Sequence, residues 1–275
     1  MLLNIIKVGS ETGLSRAKDK LNKFRSRVDD KLPLQIKIGD IIDFEELLLR
    51  SSLIEEAFEF SDNDPETDHS YLELHARLPD KKKKVVAIFK SEIDGFLHFW
   101  FYFEDNDFLE IVCRKESPTI PIEDGIRYFS FEEELIPEAN EEELFLPNRN
   151  ESNTWWIGNK YYPLPEQDLD DEGVWEEFSY QRVWGISEDL IPPKNINGEI
   201  FTDPFNKKGE KLRLQAMLYV RPPVKYALDE NLEIPDDEYE YFQIQAVTDQ
   251  SGLYIQMYFG VSIEAKNFEV IDMNV

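Results

Sequence analysis

Three histidines and 57 acidic residues are the raw material for chemistry in this 275-residue chain. His69, His75 and His98 fall within one 30-residue stretch, and two of them sit on segments read as neighbouring strands. A shared site for His75 and His98 with Glu73 or Asp94 would suit a metal ion or general acid–base work. The plainer reading makes His75 a surface residue and His98 a partly buried one among aromatics. Acidic residues are so dense that carboxylate pairs arise by chance, and no pair singles itself out. Asp62, Asp64, Glu66 and Asp68 alternate as in a calcium loop, but the turn glycine and the terminal glutamate are missing. No glycine-rich phosphate loop, nucleophile elbow or H-E-x-x-H pair occurs. The single cysteine, Cys113, excludes an intrachain disulfide framework and reads as core filler in a reducing compartment. No catalytic residue, cofactor or metal site is therefore expected, and an enzyme is the less favoured reading.

The net charge of -27 is unevenly spread. Residues 1–28 carry seven Lys/Arg against two Asp/Glu, while the remaining 247 residues carry 23 against 55. Such a body repels phosphate backbones, so nucleic acid is not expected as a partner. Aromatic strands such as FLHFWFYF could stack bases, but their acidic surroundings favour core packing. KKKK at 81–84 reads as a solubilising hairpin turn that also protects a sheet edge. No apolar run approaches the roughly 20 residues that span a bilayer, and the start lacks the pattern of a signal peptide. The expected location is cytoplasmic, with peripheral contact at the inner membrane left open.

The elements that must position these groups are mostly strands. The first is the exception: Leu14, Ala17, Leu21, Phe24 and Val28 recur at helical spacing, with basic residues including Lys20 and Arg27 on the other faces. Pro33 ends this basic amphipathic leader helix. Leu14, Leu21, Phe24, Lys20 and Arg27 are its candidate partner contacts. Docking on the acidic body, a partner helix and a weak membrane contact through residues 13–28 all remain open. DIIDFEELLLRSSLIEEAF reads as a short helix or a helix and turn. From Tyr71 the period becomes two, and YLELHARL, VVAIFK, FLHFWFYFE and FLEIVCR predict a four-stranded antiparallel meander with a hairpin turn at Asp94-Gly95. Residues 131–151, with two prolines and acidic runs, read as a connection. EFSYQRVWG, LRLQAMLYVR, YFQIQAV and LYIQMYFGVSI read as further strands. Gly95 and Gly252 align in two similar strand–turn–strand units, which a duplication or any glycine-turned aromatic hairpin would produce. The expected fold is mainly β, with α+β as the alternative. Its divisions are a leader over 1–31 and β-rich halves over 32–150 and 151–275, unless 32–275 forms one domain.

The strings LPLQIKIGDIIDFEELLLR, DGFLHFWFYFED, YQRVWG, LRLQAMLYVR and LYIQMYFGVSIEAKNFEVI resemble the YjfK-like family of uncharacterised bacterial proteins. The resemblance covers about residue 32 to the C-terminus. Arg182, Trp184, Gly185, Gln215, Ala216, Met217 and Tyr219 look most like its signature. The resemblance implies no activity or catalytic residue. It implies an accessory role in envelope maintenance, beside phage-shock-type coiled-coil proteins. Arg182, Trp184, Gln215 and Tyr219 are accordingly the candidate ligand-binding residues. The favoured reading is a non-enzymatic interaction protein whose acidic surface meets a basic or coiled-coil partner. The alternative is an enzyme or binder of a cationic small molecule or peptide, held among Trp155, Trp156, Trp175, Trp184 and carboxylates.

Overall fold

The computed structural model describes residues 32–45, 74–79, 82–137, 158, 160–162, 180–184, 191–205, 208–221, 239–249 and 252–273. The leader, with Leu14, Lys20, Leu21, Phe24 and Arg27, lies outside the described residues, as do His69, Trp155, Trp156 and Trp175.

The chain is mainly β and antiparallel throughout. A short strand β1 (Ile41–Asp43) is followed by a first meander of β2 (Lys82–Ile93), β3 (Phe96–Phe103), β4 (Phe108–Arg114) and β5 (Ser117–Leu135). Two short strands, β6 (Tyr161–Tyr162) and β7 (Tyr180–Arg182), precede a second meander. It consists of β8 (Lys194–Phe201), β9 (Glu210–Arg221), β10 (Glu240–Asp249) and β11 (Gly252–Ser262), and β12 (Glu269–Ile271) ends the chain's strands. The two meanders join along both edges. β5 pairs with β11, and β8 pairs with both β9 and β2. Strands β2–β3–β4–β5–β11–β10–β9–β8 thus close an eight-stranded barrel. β1 and β12 extend from β2 beyond the end of β8, and β7 and β6 extend from β9.

Closure explains a pattern that alternation alone leaves puzzling: both faces of β3 are apolar and buried. One face enters a cluster fed by all eight barrel strands, including Phe89, Trp100, Phe108, Phe129, Ile196, Leu214, Tyr241 and Tyr258. This is the barrel interior, filled by side chains as expected for eight strands. The opposite faces of the barrel strands other than β8 form a second, outer core, with Phe99, Phe101, Tyr128, Tyr219, Phe242 and Ile255. Ile36, Ile42, Phe44, Ala76, Ile263 and Phe268 cover part of it from outside. Gly260 is required by this packing, because a Cβ there would lie 2.5 Å from the Phe129 ring.

The hairpin at Asp94-Gly95 has φ of 51° and 89°, the double left-handed turn that joins twisted strands tightly. Other expectations need correction. Residues 74–79 contain no strand, and the first meander is displaced by one strand, with β5 as its fourth member. β5 continues through Glu132, Glu133 and Glu134, so the connection starts later than 131. Ile41–Asp43, read as the start of a helix, is a strand. Lys82, Lys83 and Lys84 lie in β2 and not in a turn, each reaching a carboxylate: Asp43, Asp105 and Asp107, and Glu104 respectively. The hairpins turned at Gly95 and Gly252 are the first of one meander and the last of the other, so their likeness does not map the two meanders onto each other.

Candidate functional site

Of the four buried carboxylates among the described residues, Glu240 and Glu110 each gather an arginine and a histidine. Glu240 opens β10 opposite Arg221, the last residue of β9, and both side chains are almost fully buried. One oxygen of Glu240 accepts the backbone N–H groups of His75 and Ala76 at 2.6 and 2.7 Å. The other accepts Arg221 Nε at 2.7 Å, Arg221 Nη2 at 2.6 Å and the Tyr180 hydroxyl at 2.7 Å. Arg221 also lies against the Tyr180 ring and donates to His75 Nδ1 at 2.9 Å. Burial would push the Glu240 carboxyl up. The Arg221 charge, with the hydrogen bonds at the carboxylate, outweighs it and holds the group at about 2.

These contacts join remote parts of the chain. His75 and Ala76 follow the segment 46–73, Tyr180 follows 163–179, and Arg221 and Glu240 flank 222–238. The three segments hold nine acidic residues against one basic, seven against none, and six against one. The described residues together hold 23 Asp/Glu against 17 Lys/Arg. Three strongly acidic segments therefore have roots on one buried ion cluster, while the barrel itself is nearly balanced.

The second carboxylate, Glu110, points into the barrel. It accepts Trp100 Nε1 at 2.9 Å and Arg127 Nη1 at 2.9 Å, and pairs with His98 Nδ1 at 2.8 Å. Arg127 also stacks on Tyr241. Burial raises the Glu110 carboxyl, but the His98 hydrogen bond and the Arg127 charge bring it down to about 2. Imidazole, carboxylate and guanidinium so arranged could relay a proton, but the cluster's partners among the described residues, His98, Trp100, Arg127 and Tyr241, all belong to the barrel strands themselves. Among the described residues no group of three His, Cys, Asp or Glu side chains could hold a metal ion.

His75 and His98 do not share a site: each has its own glutamate, one in the outer core and one in the barrel. Arg182 and Tyr219 meet at Gly158, whose carbonyl accepts from Arg182 and whose N–H donates to the Tyr219 hydroxyl at 2.9 Å. Both side chains are buried. Trp184 is half-buried and packs against both cores, with the Lys194 ammonium 5.0 Å above its ring. Gln215 lies four residues before Tyr219 on β9, donating to Asn195 at 3.2 Å. Arg182, Tyr219 and Trp184 thus cluster around β7, and Gln215 stands apart. Glu240, Arg221, Glu110 and Arg127 carried no signal in sequence, since their partners lie on other strands. No family model, curated protein or solved structure matches the chain.

Proposed function

We propose that the protein is a non-enzymatic binding module that presents acidic segments to a basic protein partner. The observation that supports this reading is the common root of segments 46–73, 163–179 and 222–238 at Glu240. Gathering three like-charged segments at one root concentrates negative potential, which a cationic partner would use as affinity and association rate. The resemblance to the YjfK-like family adds the context of envelope maintenance and a coiled-coil partner; both belong to this proposal.

The test is calorimetric titration of the full chain with a lysine-rich 15-residue peptide at about 50 and 300 mM salt, a range over which screening weakens exposed charge pairs. Neutralising Asp168, Asp170, Asp171 and Glu172 to their amides should weaken binding by about tenfold. Neutralising Glu138, Glu141, Glu142 and Glu143, which lie in a segment not rooted at Glu240, should change it by less than about twofold. Equal losses in both variants would reduce the binding to net charge and defeat the reading.

The second reading, a pocket for a cationic small molecule, has one observation in its favour: the Trp184 ring already takes the Lys194 ammonium. Replacing Lys194 by Met should then open that ring to a quaternary ammonium probe such as tetramethylammonium, read by tryptophan fluorescence.

A further inference from the structure

A cleft of about 480 Å³ lies on the outward side of β2, β3 and β8. Its floor and walls include Leu32, Ile88, Leu97 and Phe201, with Glu92 and Glu199 at its edge. The outer core, which covers the other barrel strands, takes nothing from β8, whose outward residues Asn195, Asn197 and Glu199 are exposed. Lys90 belongs to the same cleft, but its ammonium is turned onto the Phe99 ring at 5.3 Å. Glu92 is bridged by Lys115, whereas Glu199, opposite Lys90 on one side and Lys211 on the other, forms no ion pair among the described residues.

Leu32 is a wall of the cleft and also the residue to which the basic leader is joined. We propose that the cleft is the docking site of the leader's C-terminal half. Phe24 and Val28 cover Leu97 and Phe201, and Arg25 and Arg27 face Glu199 and Glu92. Reach permits this, since Val28 is four residues and Phe24 eight residues from Leu32, about 6 and 12 Å along a helix. Size permits it too, because a cleft of this volume accommodates two apolar side chains but not the full stripe from Leu14. Charge agrees, as the leader is the one strongly basic segment of the chain. This contact would hold the leader on the barrel wall and away from membrane or partner.

The experiment places the photo-crosslinker p-benzoylphenylalanine at Phe24 in the full chain, irradiates dilute protein and maps the adducts by mass spectrometry. The expected result is an intramolecular adduct on Ile88–Glu92, Leu97 or Glu199–Phe201. Glu199→Lys should cut its yield by about fivefold, the scale of one exposed ion pair made repulsive. Glu104→Lys, an exposed acid outside the cleft, should leave it unchanged, with both variants checked for unaltered thermal unfolding. Adducts on any other surface, adducts only between two copies, no adduct, or equal loss in both variants would each overturn the proposal.

Discussion

Replacing Glu240 by Gln keeps the shape of the side chain and removes its charge, leaving Arg221 buried without a counter-ion. Removing one partner of a buried ion pair costs about 3–5 kcal/mol, because the remaining charge is uncompensated. The pH dependence gives a second, independent magnitude. The carboxyl titrates at about 2 in the folded chain against 4.5 ordinarily, and each unit is worth 1.36 kcal/mol, so ionised Glu240 contributes about 3 kcal/mol. Because the folded value is depressed, this contribution is complete above pH 4.5 and is lost as pH falls towards 2. Urea unfolding of wild type and Glu240→Gln should therefore differ by about 3–5 kcal/mol at pH 7. The gap should begin to close below pH 4.5. Glu110 and Asp107 titrate in both proteins and cancel in the difference. Should the single variant fail to fold, Arg221→Met with Glu240→Met, which removes both charges, should be more stable than Glu240→Gln. A gap that stays constant from pH 7 to 3, or a double variant no more stable than the single one, would refute the assignment of Glu240 and Arg221 as a coupled pair.

The barrel interior makes its own demands. Gly260→Ala drives a methyl group into the Phe129 ring and should cost about 1–3 kcal/mol in urea unfolding, with Phe129→Leu restoring part of the loss. Gly95→Ala places a side chain at φ of 89° with open space around it, so only backbone strain remains, about 1 kcal/mol by thermal unfolding. Cys113 is buried and its thiol is pushed up to about 11 by desolvation. It should resist a thiol-specific disulfide reagent at pH 8 in the native state and react within seconds once unfolded in urea. Fast reaction of the native protein would mean that the outer core opens around β4.

How far the sequence could be read depends on whether an element declares itself locally. β3, β9, β10 and β11 do, through long aromatic and β-branched runs. β5 was hidden because Pro118, Pro121 and three consecutive glutamates resemble a connector. In the structure its register shifts against β4 accommodate Pro121, and Glu134 accepts a hydrogen bond from Gln256. β1 reads as a helix start because three residues are too few to show a period. Closure of the barrel rests on β8 pairing with β2, residues more than 100 positions apart, and no local pattern encodes that. The same holds for Glu240. Within ENLEIPDDEYE it is one acid among many, and its importance comes from Arg221, Tyr180 and the backbone at 75–76, which are 19, 60 and about 165 residues distant.

The division of charge then acquires a different physical meaning. A net -27 spread over the whole molecule would act as diffuse self-repulsion, opposing the compact state and fading with distance. Here the described residues, which include the whole barrel, carry a net charge of only -6, and many of their cations are placed within reach of carboxylates. Most of the excess negative charge belongs to segments outside the described residues, three of which begin or end at Glu240. Stability and charge are thereby assigned to different parts of the chain. Neutralising four acids in 163–179 should leave the urea midpoint of the barrel nearly unchanged while weakening a cationic partner about tenfold, whereas Glu240→Gln should lower the midpoint first. If instead neutralising those acids raised barrel stability by more than about 2 kcal/mol, far beyond the usual effect of surface substitutions, the segments would be acting on the fold rather than on a partner.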